Sequence, residues 1–110
     1  MSEQEIEQEI QDKGLNAPRL TPADIDNEIV SEQYHVFEGT TSTVCCLTLQ
    51  NGYNVIGTSA AASLENFDEE IGKKLARERA REQIWALAGY ELKSILSGRF
   101  DESLYSDRNS

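Results

Sequence analysis

The segment "TVCCLTLQNGYNVIGTSA", which begins at residue 43, constrains the fold more than any other part of the chain. Apolar Cys45, Leu47 and Leu49 alternate with their neighbours at the period of a half-buried strand. The pair Asn51-Gly52 follows, and both residues tolerate the positive φ of a type I′ hairpin turn. "YNVIGTS" then returns as the partner strand. With "YHVFEG" as a candidate third strand, the sequence predicts an antiparallel β-meander of two or three strands.

Helical patterns flank this meander on both sides. In "TPADIDNEIVSEQY", Thr21 is a suitable N-cap and Pro22 suits the first helical position. An apolar face formed by Ile25, Ile29 and Val30 then predicts a short N-terminal helix.

After the meander, "ENFDEEIGKKLARERAREQIW" predicts a long helix. Asn66 and Glu69 have the spacing of a capping box. We expect Gly89 to end or bend this helix, and "YELKSILSG" to form a shorter second one.

The predicted fold class is therefore α+β: a small antiparallel β-meander packed against a long C-terminal helix, with a short N-terminal helix. The 110 residues suffice for one domain with one modest core. We expect a flexible acidic leader over residues 1–20, because "MSEQEIEQEI" holds four glutamates and no basic residue. A single domain over 21–97 and a loose tail over 98–110 complete the predicted organisation.

Charge and composition exclude several classes of function. A formal net charge of −10 disfavours nucleic-acid binding, which needs a broad basic face. The sequence has neither a signal-peptide pattern nor an apolar run long enough to span a membrane, so we expect the cytoplasm. Adjacent Cys45 and Cys46 would point to opposite faces of a strand and form no disulfide with each other. One histidine and no C-x-x-C motif predict no metal site.

The basic residues are concentrated in the long helix. Positions 73–81 hold half of the ten lysines and arginines of the chain. Within them Lys74, Arg77 and Arg81 fall on one narrow arc, where two arginine forks suit a phosphate group. An ordinary alternative is a solvated face on which Glu78 and Glu82 form surface pairs worth about 0.2–0.5 kcal/mol each.

The same helix carries two displaced apolar stripes. The first consists of Phe67, Ile71 and Leu75, and the second of Ala76, Ala80, Ile84 and Leu87. One stripe is expected to pack on the sheet. The other then needs a second partner, which favours homo-oligomerisation.

No set of residues assembles into a catalytic site. The sequence has no G-x-S-x-G, P-loop or H-E-x-x-H pattern, and the cysteines and the lone His35 have no suitable neighbours. Tyr53, after the predicted turn, is suited to stack on a base or to cover the sheet. Asn66 is suited to contact a base edge, although capping also explains it. The residues therefore predict a non-enzymatic protein without cofactors.

Residues from about 21 to 93 resemble the small phage protein family known from gene product 49 of a podophage and gene 66 of a Shigella phage. The resemblance rests on "VCCLTLQNGY", "ENFDEEIGKKLARE" and "IWALAGYELK". That family is similar in turn to the type-one Thoeris anti-defence proteins, the Tad signal sponges of phages. "GTSAAAS" departs from the more usual "G-E-S-A-C" at Thr58 and Ala61, which puts the choice of ligand in question.

The resemblance implies a non-catalytic α+β protein that forms dimers or hexamers in the host cytoplasm. Its ligand would be a small phosphorylated nucleotide signal, a cyclic ADP-ribose isomer or a cyclic oligonucleotide. By side-chain chemistry, the expected ligand-binding residues are Arg77, Arg81, Lys74, Tyr53, Asn66 and Phe67. The alternative is a phage protein-interaction module that inhibits a host protein through its acidic arm and helix and binds no nucleotide.

Overall fold

A computed structural model describes residues 2–15 and 17–99 of the chain. In chain order its elements are α1 (Glu3–Asp12), α2 (Pro22–Glu28), β1 (Ile29–Val36), β2 (Thr43–Leu49), β3 (Asn54–Ser59), a short 3₁₀ turn (Leu64–Asn66) and α3 (Glu69–Leu96). This architecture confirms the predicted α+β class. Residues 100–110, most of the expected tail, lie outside the described part.

The three strands form one antiparallel sheet in the order β1-β2-β3, which confirms the meander. Cys45 in the central strand lies opposite Tyr34 of β1 and Gly57 of β3. The predicted alternation of β2 is confirmed, because Cys45, Leu47 and Leu49 are buried while the residues between them are only half-buried.

The turn between β2 and β3 differs from the prediction. Gly52 has φ +88°, but no residue other than glycine in the described part of the chain has positive φ, so the turn is not type I′. Instead three residues separate Leu49 from Tyr53. The Gly52 N–H donates to the Leu49 carbonyl at 2.9 Å, and the Leu49 N–H donates to the Tyr53 carbonyl at 2.8 Å. A three-residue loop needs positive φ only at its last residue, so Gly52 alone suffices.

The first predicted helix is shorter than expected. Thr21 and Asp24 form a capping box, which confirms the predicted start. Ile29 and Val30, however, belong to β1 rather than to the apolar face of α2. Two consecutive β-branched residues favour a strand, and Ile29 pairs with Leu49 in the sheet.

The long helix is continuous through Gly89, so the predicted break there is wrong. A mid-helix glycine costs only about 1 kcal/mol, and strong helix formers continue on both sides. The helix ends at Leu96 instead, and Gly98 follows the C-cap Ser97 with φ +79°. At the other end of the helix, the N-cap is Asp68 and not Asn66. The Asp68 side chain accepts a hydrogen bond from the Ile71 N–H at 3.0 Å.

The core lies between α3 and the inner face of β2 and β3. It consists of Ile25, Cys45, Leu47, Leu49, Val55, Ala76, Ala80 and Ile84. The helix approaches β3 so closely that a Cβ at Gly57 would overlap the backbone of Ala76 and Ala80. One predicted stripe of α3 therefore packs on the sheet. The other stays largely outside, with Ile71 57% and Leu75 41% exposed.

Candidate functional site

A row of cationic side chains on α3 faces β1 and α2. Lys73, Arg77 and Arg81 are spaced four residues apart, so they lie one above the other on one helix face. Lys73 pairs with Glu69 of its own helix at 3.1 Å, whereas the Arg77 Nε donates to Glu32 of β1 at 3.1 Å. The row is therefore already in contact with carboxylates of the same chain.

Arg81 is the most enclosed member of this row, with 16% of its side chain exposed. Its two terminal nitrogens donate to the Glu3 carboxylate at 2.8 and 2.9 Å, and its Nε donates to Asp26 at 2.8 Å. The Trp85 indole N–H donates to the same Glu3 carboxylate at 3.2 Å. The hydrogen bonds that Arg81 donates to Glu3 lower the pKa of Glu3 below its ordinary value. The same hydrogen bonds raise the pKa of Arg81.

A second polar group lies on the inner face of β1. The Tyr34 hydroxyl donates to Glu32 at 2.8 Å, and this bond, followed by the one from Arg77, lowers the pKa of Glu32. Burial raises the pKa of Tyr34, and burial also raises the pKa of the neighbouring Cys45 thiol. A buried thiol with a raised pKa is a poor nucleophile, in agreement with a packing role for Cys45.

Arg79 lies on the opposite side of α3 and covers the free edge of β3. Its guanidinium donates to the Thr58 carbonyl at 2.6 Å, and Gln83 one turn later donates to the Ile56 carbonyl at 2.6 Å. These bonds satisfy carbonyls that would otherwise be open to another strand. Lys74 is exposed and has no ion pair within the described residues.

Asn66 and Phe67 lie together at the start of α3. They line a shallow cavity of about 110 Å³ with Thr41, Ser59, Ile71 and Leu75. Asn66 is exposed, and its role as the expected cap is taken by Asp68. Phe67 is half-buried, with its ring near the backbone of Gly72.

Tyr53 lines a different cleft, of about 250 Å³, at the other end of α3. The floor of this cleft is apolar, and its polar lining includes Tyr53, Tyr90, Asn51, Glu28 and Glu91. Arg99 lies beside it, because its guanidinium donates to the Tyr90 hydroxyl at 2.5 Å and lies 5.8 Å from the Tyr90 ring centre. The Asn51 amide oxygen accepts from the Tyr53 N–H at 2.9 Å, which leaves the amide NH₂ as its donor.

The six residues predicted to bind a ligand thus fall into three separate groups: Lys74, Arg77 and Arg81 in the middle of α3, Asn66 and Phe67 at its start, and Tyr53 near its other end. Phe67 precedes α3, and Arg81 lies twelve positions after the first helical residue, Glu69, which is about 18 Å along a helix. Asn66 and Phe67 share one cavity, which Tyr53 does not line.

Sequence reasoning missed the groups that surround Arg81 and Tyr53. Glu3 is 78 positions away from Arg81, and no local pattern pairs them. Trp85 was detectable, because it follows Arg81 by four residues and therefore lies on the same helix face. The sequence places Tyr90 and Glu91 in a separate second helix, whereas in the structure they belong to α3 and line the cleft with Asn51 and Tyr53 of the hairpin loop.

Two further observations limit the chemistry of the described residues. In residues 2–15 and 17–99, no group of three or more His, Cys, Asp or Glu side chains is arranged to hold a metal ion. None of the helices there is long and apolar enough to cross a membrane.

Taken together, the fold and its clefts define a small α+β protein in which one long helix covers a three-stranded meander. The chain matches the model of the phage protein (N4 Gp49/phage Sf6 gene 66) family over residues 20–96. That match covers well over half of the chain, so the protein belongs to this family. No curated protein and no solved structure matches it.

Proposed function

We propose that the protein is a non-catalytic phage anti-defence protein that binds a cyclic nucleotide immune signal in the host cytoplasm and sequesters it. The observation that carries this proposal is the cleft beside Tyr53. Its size and lining suit the nucleoside part of a cyclic ADP-ribose isomer or a cyclic oligonucleotide. The likeness of the family to the Thoeris signal sponges supports the same reading.

Each part of a nucleoside has a chemical counterpart in this cleft. The Tyr53 and Tyr90 rings offer aromatic faces for a base, and the Asn51 NH₂ offers a donor for a base edge. Glu28 and Glu91 can accept hydrogen bonds from ribose hydroxyls, as carboxylates do in dinucleotide sites. Arg99, beside Tyr90, offers a cation for the phosphate of a nucleotide.

Arg77, Arg81 and Lys74 remain proposed phosphate ligands. Lys74 is exposed to solvent, whereas each arginine would have to exchange a carboxylate of its own chain for a phosphate group. Asn66 and Phe67 lie too far from Tyr53 to share a ligand within one chain. We therefore propose that a second copy of the chain completes the site.

A second copy fits the exposed stripe of Phe67, Ile71 and Leu75. The first turn of α3 is acidic, with Glu69 and Glu70, and the basic row follows directly. Two such helices packed antiparallel would place the acidic turn of one beside the basic segment of the other. This contact would also bring Asn66 and Phe67 of one protomer towards the arginines of its partner.

The test is calorimetry with intact cyclic ADP-ribose isomers and cyclic di- and trinucleotides, followed by chromatography of the recovered ligand. We expect tight binding of at least one of them and release of unchanged ligand. Tyr53→Ala should weaken that binding, because loss of base stacking costs about 1–3 kcal/mol, which is a roughly 5- to 150-fold rise in Kd. Phe37→Ala is the matched control, because Phe37 is also an exposed aromatic residue, 49% accessible, but lies outside the cleft.

Equal losses in the two variants would remove the Tyr53 cleft from the proposal. Conversion of the ligand would contradict the non-catalytic assignment.

A second function is favoured by the internal pairing of the arginines. Arg19, Arg77 and Arg81 are paired with carboxylates of the same chain, and the whole sequence has a net charge of −10. A chain of this charge suits a basic host protein, which it would inhibit without any nucleotide. This alternative predicts no heat with any nucleotide and a salt-sensitive complex with a basic host partner.

A further inference from the structure

The N-terminal helix α1 is held to the rest of the chain by few, mostly polar contacts. None of its residues is buried. Two ion pairs fix it: Glu3 to Arg81, and Glu7 to Arg19 at 2.6 Å. In the first pair the Glu3 side chain is still 38% exposed, so water can solvate its carboxylate when α1 detaches.

The apolar side of α1 adds little to this attachment. Ile6 and Ile10 do not pack closely on Leu20, Pro22 and Trp85. A cleft of about 380 Å³, open to solvent, lies among them, and Ile6 is 47% exposed. An interface with such a gap forgoes much of the dispersion energy of a packed core. The position of α1 therefore depends mainly on its two ion pairs, of which the Glu3 pair joins it to α3.

Glu3 occupies a site with the geometry of an oxyanion pocket. Arg81 presents its planar fork to both carboxylate oxygens, the arrangement with which arginine also binds phosphate. Trp85 adds a third donor to the same carboxylate. The Arg81 side chain is largely buried and is held in place from behind by Asp26 and the Pro22 carbonyl.

We propose that Arg81 and Trp85 form a binding site for one phosphodiester group, which α1 closes by placing the Glu3 carboxylate in it. A phosphodiester carries one negative charge, as Glu3 does. A phosphate monoester carries close to two and would be disfavoured, because Asp26 already lies on Arg81. The inference deepens the proposed function by naming how one of its phosphate sites is kept closed.

Closure by Glu3 makes ligand binding a competition. A phosphodiester can bind only to those molecules whose α1 is undocked. The apparent Kd is therefore the intrinsic Kd divided by the undocked fraction. Removal of the Glu3 charge should therefore strengthen binding of a free phosphodiester. A residue with a merely structural role would have the opposite effect or none.

The experiment uses the single tryptophan of the chain as its signal, because Trp85 itself contacts Glu3. Full-length wild type, Glu3→Gln and Glu5→Gln are titrated with dimethyl phosphate while Trp85 emission is followed. Glu5→Gln is the matched control, since it removes the same charge from α1 but its side chain makes no contact with Arg81 or Trp85. We expect half-saturation at a concentration at least tenfold lower for Glu3→Gln than for wild type or Glu5→Gln.

Two further variants locate the site. Arg81→Gln should abolish binding in the Glu3→Gln background. Trp85→Phe should weaken binding, as measured by calorimetry. Far-ultraviolet circular dichroism should show that Trp85→Phe retains the fold. Equal titrations for Glu3→Gln and Glu5→Gln, or no binding of dimethyl phosphate to Glu3→Gln, would overturn the inference. Since dimethyl phosphate has no base or ribose, Tyr53→Ala should not change its binding. The inference and the nucleotide proposal can therefore fail separately.

Acid offers an independent check on the closure. The pKa of Glu3 is lowered in the folded protein, so its contribution to docking is present above the ordinary value of 4.5 and is lost as pH falls through the lowered pKa. Asp26 also faces Arg81, and it is retained in Glu3→Gln. Protonation of Glu3 should change Trp85 emission below pH 4.5 in wild type. The same change should be absent in Glu3→Gln.

Discussion

At the scale of single residues, two glycines of this chain have opposite requirements. A Cβ at Gly57 would overlap the backbone of α3, whereas a Cβ at Gly89 would meet only a Leu20 methyl group at 4.0 Å. We expect Gly57→Ala to destabilise the fold by about 1–3 kcal/mol or more, because backbone cannot yield as a side chain does. Gly89→Ala should stabilise it by about 0.5–1 kcal/mol through helix propensity.

Urea denaturation of the two variants and wild type tests this pair. Since both changes add one methyl group to a glycine, a difference in sign can only come from the surroundings. Destabilisation by Gly89→Ala would show that the helix is strained at that point. A neutral Gly57→Ala would contradict the close approach of α3 to β3.

Residue-level predictions from the sequence succeeded where the cause is local. The burial of Cys45 follows from the two-residue period of a strand, which needs no knowledge of the rest of the fold. The partners of Arg81 could not be predicted in this way. Its charge is balanced by Glu3 and Asp26 from distant parts of the chain, and more than a dozen other carboxylates were equally available to it in the sequence.

At the scale of elements, the start of α3 separates two candidate caps. Asn66 has the sequence spacing of a cap, but the Asp68 carboxylate is the group that accepts from the Ile71 N–H. Asp68 also carries a charge that favours the positive end of the helix dipole. Asp68→Ala should therefore destabilise the protein by about 0.5–2 kcal/mol, and Asn66→Ala should have little effect.

Thermal or urea unfolding of these two single variants provides the measurement, and each serves as the control for the other. A larger loss from Asn66→Ala would return the cap to the position that the sequence suggested.

The elements themselves were predictable from periodicity, but some of their ends were not. The strand period of β2 and the capping box of α2 are local signals, and both are confirmed. The passage of α3 through Gly89 is not local. It depends on helical residues and packing on both sides, which outweigh a propensity cost of about 1 kcal/mol. Likewise, Ile29 and Val30 are apolar in either a helix or a strand. Their β-branched side chains favour a strand only weakly, and the pairing of Ile29 with β2 decides the outcome.

At the scale of the whole molecule, an acidic protein has gathered its positive charge on one helix and then covered part of it with its own carboxylates. Arg77 and Arg81 join α3 to β1, α2 and α1. These pairs give the basic row a structural role in the isolated chain. Lys74 and the stripe of Ile71 and Leu75 remain outside, so any further role of this helix depends on what covers that surface.

We expect a second copy to cover it. Ile71 and Leu75 are 57% and 41% exposed, and the acidic first turn of α3 is complementary to the basic segment of an antiparallel partner. Light scattering coupled to size exclusion should therefore give a mass that is a multiple of 12.3 kDa, as a dimer or hexamer. Leu75→Glu should reduce that mass to the monomer, because it places a charge in an apolar contact.

Ile95→Glu is the matched control for this prediction, since Ile95 is 53% exposed on the same helix but lies far from the stripe. If it dissociates the oligomer and Leu75→Glu does not, the contact lies at the other end of α3. A wild-type protein that stays monomeric would leave each chain with only its own residues around a ligand. The Tyr53 cleft would then have to bind a nucleotide without Asn66 and Phe67. In that case Asn66→Ala should bind the nucleotide with the same calorimetric affinity as wild type.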